Sequence, residues 1–557
     1  MSQLSHHPAL IGFEIENGLA RACTGQGLKN LLWAGARWLE IHREVVNRLN
    51  VFPVPDGDTG TNMLLTMRSA LAEVEAGQVD EVGAIAKRAA HGAMMGARGN
   101  SGVILSQFWQ GMAEAVQAKR AFTADDLAIA FDSGSQQAYH SVANPVEGTI
   151  LTVARAAAEA ARLSANHHCD LTVILADSVE AAKIAQANTP EFLPILKEAG
   201  VTDSGGQGFF YILEGWLRLL RGEPLETQFV DLSTPALQPQ LEIEKKSYGY
   251  DVQFLVYGQR LDSEDIRAKI DRLGWSTVVV GDEDAVKVHV HADNPQAVLD
   301  YGATLGELGD IVVENLDRQA QKFITGVTSS FQDAGRATPT QAVIAVAAGW
   351  GVAEVFHSLG AGQIVPGGPT MNPSTEDLLA AINEVAAKDV LILPNNGNII
   401  LAAQQAQQLS AKNVRVIPTK TIPQGVAALV AFNQSLSLDQ NVKRMVEAAQ
   451  QVRTVEITSA NRNTRVNGFV VNQGDLLGLV DGELKGVGRD DFEVARSVLT
   501  QLNKAAEYEI ITIYYGQDCA ENRANKLARQ LETLYPDFEV EVIYGGQPQY
   551  HFIISVE

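Results

Sequence analysis

Asn47-Arg-Leu-Asn50-Val-Phe-Pro-Val-Pro-Asp56-Gly-Asp58-Thr59-Gly60-Thr61-Asn62-Met63 is too polar, and too rich in proline and glycine, to continue the helical periodicity on either side of it. Pro53 and Pro55 hold the backbone extended and stiff. Asp56 and Asp58 are two apart, so an extended backbone points both carboxylates the same way. Gly57 and Gly60 permit close approach of a ligand to the main chain, and Thr59, Thr61 and Asn62 add short polar groups. Two convergent carboxylates on a rigid loop make a hard-oxygen site of the kind Mg²⁺ uses when it also holds nucleotide phosphates. Asp-Gly-Asp by itself is equally at home in a metal-free surface turn.

Helical stretches flank this loop. Leu28, Leu31, Leu32, Trp38, Leu39 and Val46 form one apolar stripe over residues 26–48, with Gly35 an unfavourable residue on it. A second helix is expected from about Met63 to Glu75, its start offering N–H donors to phosphate. A third, about Asp80 to Met95, ends in Gly96-Ala-Arg98-Gly99-Asn100-Ser101-Gly102, with another helix from Val103. Gly99 to Gly102 form either an anion cradle or a glycine C-cap joined to a serine N-cap. Arg98 either reaches a phosphate or makes a surface ion pair. Residues 124–165 read as helical with a break at Asn144–Thr149, and a helix is expected near Ser178–Ala187. Asp203-Ser204-Gly205-Gly206 then opens the helix Phe209–Leu220, where Asp203 is a capping residue or a ligand contact.

The form Leu49 to Met63 resembles the DhaL-type, dihydroxyacetone-kinase-like nucleotide-binding domain, in the branch found in the kinase subunit of bacterial fatty acid kinase. The resemblance implies an all-α barrel of antiparallel helices over residues 26–222, with ATP and Mg²⁺ at its rim. It implies Asp56 and Asp58 as catalytic Mg²⁺ ligands, and Asn50 as a carbonyl or supporting contact. Thr59, Gly60, Thr61, Asn62, Asn100, Ser101, Gly102, Asp203, Ser204 and Gly205 would line the nucleotide, with Thr149 closing over it.

Prolines 224, 235 and 239 mark a linker, after which residues 247–328 read as a small α+β domain. Strands are expected at Asp251–Val256, Ser276–Val280 and Val286–His291, with helices at Ser263–Leu273 and Asn294–Leu305. His289 and His291 are two apart on a strand and suit Zn²⁺ if a third ligand approaches, although surface histidines are commoner. The resembling family has a metal-ligating cysteine in a Gly-Tyr-Cys segment; here Gly249-Tyr250 is followed by Asp251, a harder and less selective ligand.

Residues 341–557 open as an α/β alternation: strands Val343–Ala347, Ile364-Val365, Val390–Leu393 and Val414–Ile417, with a helix from Thr375. Loops at the ends of such strands are common ligand sites, which brings in Asn395, Asn396 and Asn398. The segment 509–557 reads as a βαββ unit. By resemblance this region is DegV-like and docks a carrier.

The formal charge is −23, which opposes binding to nucleic acid over the bulk surface. No apolar run approaches the length of a transmembrane helix, and three scattered cysteines suit a reducing, cytoplasmic setting. The resemblance implies an ATP-dependent phosphotransferase acting on the carboxylate of a fatty acid held by a separate fatty-acid-binding carrier protein of the DegV family. Two alternatives are a kinase of a small polyol such as dihydroxyacetone and a nucleotide-sensing scaffold. A homodimer is compatible with each.

Overall fold

The computed structural model describes residues 11–50, 57–76, 81–142, 144–225, 250–258, 260–281, 285–315, 339–368, 372–460, 463–466, 468–502 and 508–557. They form two units, one of residues 1–229 with 330–557 and the other of residues 230–329.

The N-terminal part of the first unit is helical: α1 (Gly25–Ile41), α2 (Arg43–Leu49), α3 (Thr59–Glu75), α4 (Val82–Met95), α5 (Gly99–Val116), α6 (Ala124–His140), α7 (Ile150–Ala165), α8 (Leu171–Ala187), the short α9 (Thr189–Phe192) and α10 (Pro194–Ala199), and α11 (Ser204–Leu220). Their apolar stripes meet around Trp216, Phe108, Phe131 and Phe209, all fully buried. The helix expected over 26–48 is broken at His42, whose backbone leaves the helical region (φ −101°, ψ 6°). There the ring stacks on Tyr211 at 4.2 Å between centroids. The helix expected near 178–187 begins earlier, at Leu171, because the Asp170 carboxylate caps it by accepting from Thr172 N–H.

This part is not purely helical. Strands β1 (Phe13–Glu16), β2 (Leu19–Thr24) and β3 (Ala121–Thr123) form a small antiparallel sheet beside the helices. Asn17 and Gly18 turn the β1–β2 hairpin with positive φ at both residues (52° and 80°). Asn-Gly is the pair this hairpin turn favours, because both central residues must be left-handed.

The second unit is a four-stranded antiparallel sheet in the order β5 (Trp275–Gly281), β6 (Ala285–Ala292), β4 (Tyr250–Tyr257), β7 (Glu307–Asn315). Helices α12 (Ser263–Ile270) and α13 (Pro295–Leu305) accompany it, and Val252, Phe254, Val256, Val286, Val288 and Val290 fill its core. Edge strand β7 went unread in the sequence. Ile311 and Val313 on it are exposed, so it lacks a clean alternation of buried and exposed apolar residues.

The C-terminal part of the first unit holds a parallel sheet in the order β11 (Asn413–Val416), β10 (Asp389–Leu393), β8 (Gln341–Ala347), β9 (Gln363–Pro366). A mixed six-stranded sheet follows, in the order β16 (Glu483–Gly488), β15 (Leu476–Val480), β12 (Arg453–Ser459), β19 (Tyr550–Val556), β17 (Ile510–Tyr515), β18 (Glu539–Tyr544), beside a small hairpin of β13 (Thr464–Val466) and β14 (Phe469–Val471). The βαββ unit is therefore half of a larger sheet. The parallel sheet and the helical part share one core. Ala97 and Val103 pack in the same apolar cluster as Ile344, Leu378, Ile382, Ile392 and Ile399.

Replacing Ala97, which is fully buried, by leucine overpacks this shared cluster. The expected loss is about 1–3 kcal/mol, read as a lower urea midpoint of the full chain.

Candidate functional site

Four helix starts converge on the aspartate loop. Asp58 precedes α3, and its main-chain carbonyl accepts the N–H of Asn62. Ser204, the first residue of α11, donates its hydroxyl to Thr59 Oγ1 at 3.2 Å, a contact spanning 145 residues of chain. The Asp203 carboxylate accepts from Gly206 N–H at 2.6 Å, and the N–H groups of Ile150 and Gly205 also face it. Thr149 caps α7 directly before Ile150, and a Cβ on Gly205 would lie 3.3 Å from Ile150 Cβ, so the Thr149 turn packs beside the Asp203 turn. Gly99, the first residue of α5, has φ +58°, and a Cβ there would lie 2.8 Å from Asn62 Nδ2. The close approach of α5 to α3 therefore requires glycine.

Asp58 itself is buried, at 6% exposure. Burial pushes its pKa up to about 6, against hydrogen bonds from the amides of Asn62 and Asn372 that favour the charged form. The Asp203 carboxyl is likewise pushed up to about 6 by burial, with the three N–H groups opposing. Both carboxyls are therefore less readily ionised than surface aspartates.

Several groups relevant to this site were missed in the sequence. Asn47 Oδ1 accepts from the N–H groups of Gly60 (2.9 Å) and Thr61 (3.3 Å), and its Nδ2 donates to Thr61 Oγ1. Those two donors at the start of α3 are thus spent on the protein. Gly60 is glycine because of α2: a Cβ would lie 2.7 Å from the carbonyl oxygen of Arg43. An asparagine one turn before a Pro-rich loop, followed by Gly-Thr at a helix start, is the signal that could have identified this cap.

The C-terminal part supplies the rest. Asn372 Nδ2 donates to Asp58 Oδ2 at 2.7 Å. Arg98 donates to the carbonyl of Asn372 at 2.8 Å and pairs with Asp377 at 3.4 Å, so it clamps this seam. The N–H of Thr375 donates to Ala97 O, and Asn100 Nδ2 donates to Asn398 Oδ1 at 3.1 Å. Of the three asparagines after β10, Asn398 alone has a recorded bond to the site; Asn395 instead bonds Val346 O and Thr419, and Asn396 Oδ1 accepts from Asn398 N–H.

Asp56 lies outside the described residues. Asn50 ends α2, its N–H donating to Asn47 O. Ser101 and Gly102 lie in the first turn of α5. The register pairs Asp251 with His291 and Gln253 with His289, but the side chains of Asp251, His289 and His291 lie outside the described residues, and with them the Zn²⁺ expectation. Among the described residues, no three His, Cys, Asp or Glu side chains are grouped to hold a metal ion. The Asp58 carboxylate nevertheless adjoins Asn372, whose buried amide oxygen lacks a hydrogen-bond partner among the described residues, so oxygen atoms of both side chains lie at this spot. Such an arrangement suits a hard cation that keeps several waters.

Residues 53–218 match the model of the DAK2 domain, residues 247–323 that of the middle domain of FakA-like fatty acid kinase proteins, and residues 342–557 that of their C-terminal domain. Protein YloV of Bacillus subtilis is 38% identical over 554 residues, covering 96% of this chain and 100% of that one. An uncharacterised protein of Staphylococcus saprophyticus is 38% identical over 551 residues, covering 96% and 99%. Among solved structures, the dihydroxyacetone kinase of C. freundii is 15% identical with a TM-score of 0.32, over 43% of this chain and 54% of that one, too slight a likeness to bear on function. Among the described residues, no helix is long and apolar enough to cross a membrane.

Asn47→Ala leaves two N–H groups of α3 without their acceptor and is expected to cost about 1–2 kcal/mol, measured by urea unfolding. A carboxyl whose folded pKa is raised contributes stability at low pH and loses it as pH rises through the folded value. In EDTA, the melting temperature of wild type relative to Asp58→Ala should therefore rise as pH falls from 7.5 to 5. Thermal melts across that window check the sign.

Proposed function

The chain belongs to the FakA-like family of fatty acid kinase proteins, and from that membership we propose that it is an ATP-dependent phosphotransferase. Its acceptor is the carboxylate of a fatty acid presented by a separate fatty-acid-binding carrier protein of the DegV family, and its product is an acyl phosphate. The observation that carries the proposal is the convergence of Asp58, Asn62, Gly99 and Ser204 at neighbouring helix starts inside the region matching the DAK2 domain.

Asp58, with Asp56 beside it in sequence, would hold Mg²⁺, which neutralises charge on the ATP phosphates when bound. The start of α5, which has no side-chain cap, presents main-chain N–H groups and a positive dipole end, which favour phosphate; the starts of α7 and α11 are capped by Thr149 and Asp203. Asn100, Ser101, Gly102, Ser204 and Gly205 would line the nucleotide, with Thr149 at its margin. Thr59, Gly60 and Thr61 act through placement: Thr59 anchors Ser204, while Gly60 and Thr61 are held by Asn47. Asp203 fixes the starts of α7 and α11 against each other.

A fatty acid carboxylate is already ionised near neutral pH, so its oxygen can attack the γ-phosphorus without a general base. The bond to the β–γ bridging oxygen breaks as the new one forms, ADP leaves, and no proton changes hands. Positioning and charge neutralisation are then the main demands on the protein.

The test is transfer of labelled γ-phosphate from ATP, with Mg²⁺, to a fatty acid on its carrier. A hydroxylamine-sensitive acyl phosphate, formed only with the loaded carrier, is the expected result. Rapid turnover of free fatty acid would remove the carrier from the scheme, and labelling of dihydroxyacetone instead would establish a polyol kinase. Asp58→Ala should abolish transfer, and unchanged turnover in that variant would refute its role as a metal ligand.

A further inference from the structure

Asn372 lies in the segment between β9 and the helix Thr375–Glu384, more than three hundred residues from Asp58 in sequence. Its side chain is 1% exposed. Its main-chain carbonyl accepts from Arg98, and Nδ2 donates to Asp58 Oδ2. Oδ1 is buried and has no hydrogen-bond partner among the described residues. Turning the amide over would direct oxygen at the Asp58 carboxylate, so the bond to Asp58 fixes which end is left over.

Asn100 repeats the pattern on the other side of the seam. Its Nδ2 is spent on Asn398 Oδ1, while its Oδ1 is buried without a partner among the described residues. A buried acceptor without a donor is costly to leave unmatched. One of the two, Asn372 Oδ1, belongs to the amide that bonds the buried Asp58 carboxylate. A phosphate oxygen, itself an acceptor, cannot satisfy them. A cation or the O–H groups of water can, and water bound to a cation would serve Asn372 Oδ1 while the cation met the Asp58 carboxylate.

We propose that Asn372, supplied by the C-terminal region, is a positioning residue of the cation site on Asp58: its Nδ2 orients the carboxylate and its Oδ1 accepts from water bound to a divalent cation. This role presupposes that Asp58 is a cation ligand, as proposed above. The C-terminal region then contributes directly to the kinase site, in addition to any surface it offers a carrier.

The test uses the full chain, with Mn²⁺ as the probe followed by electron paramagnetic resonance and calorimetry, and melting temperatures recorded in EDTA. Asn372→Ala should weaken Mn²⁺ binding roughly 10- to 100-fold, the usual effect of losing a group that supports a metal site from behind its ligands. Asn372→Asp separates the two ends of the side chain. It removes the donor to Asp58 but keeps an acceptor and adds negative charge. If Oδ1 faces the cation, Asn372→Asp binds Mn²⁺ at least about tenfold more tightly than Asn372→Ala, even though its EDTA melting temperature is lower than that of wild type.

Equal weakening in the two variants would reduce Asn372 to a brace for Asp58 and overturn the proposal, as would wild-type affinity in Asn372→Ala. Should the alanine variant fail to fold, Asn372→Ser takes its place in the same comparison. A wild-type chain that binds neither Mn²⁺ nor ATP would defeat the assignment of Asp58 itself, whereas wild-type binding with unaltered variants defeats only the role of Asn372.

Discussion

A buried carboxyl held by an amide from a distant part of the chain is the constraint on which the site depends. Asp58 is buried, and Asn372 donates to its carboxylate through a bond 2.7 Å long. Burial of an aspartate is unfavourable unless hydrogen bonds favour its charged form. Two amides, from Asn62 and Asn372, partly offset that cost and leave the pKa at about 6. The remaining offset is available to a ligand of opposite charge. In the role proposed for Asp58, a bound cation would supply that offset, whereas the carboxylate of a surface turn is already well solvated.

The geometry around Asp58 follows from two kinds of element end. From the helical part come the starts of α3, α5, α7 and α11, tied together by Ser204–Thr59 and by the Asp203 carboxylate. From the parallel sheet come the segments after β9 and β10, which carry Asn372 and Asn398. Loops at the carboxyl ends of parallel strands are where such sheets usually bind ligands. In this chain those loops are applied to the helical part: of the three asparagines the strand-end rule brought in, Asn398 bonds Asn100, while Asn395 and Asn396 bond within the C-terminal part.

What was legible in the sequence was local. Helix periodicity located α3 to α7 and α11, and the αβ alternation located β8 to β11, because each rests on the spacing of neighbouring residues. The hairpin at Asn17-Gly18 was legible too, through its turn pair, but went unread. The break at His42 was not: nothing near it in sequence shows that Tyr211 will stack on its ring. The same holds for the site. The Asp58 loop announced itself by composition, whereas Asn47 as a cap, Arg98 as a clamp and Asn372 as a partner of Asp58 depend on tertiary contacts. Gly60 illustrates the difference, since its glycine suggested ligand approach and instead accommodates the backbone of α2.

The core shared by Ala97, Val103 and the strands and helices after residue 341 has a consequence for how the protein is made. During synthesis the helical part, which ends at Leu220, emerges first, and its contacts to the parallel sheet wait until Gln341–Val416 have left the ribosome. Domains generally fold as units in that order, and apolar surface awaiting a late partner is prone to association in the interval. Small residues such as Ala97 keep that waiting surface modest. Nascent or truncated chains that end before β8 would therefore lack both the apolar partners of Ala97 and Val103 and the amide that holds Asp58.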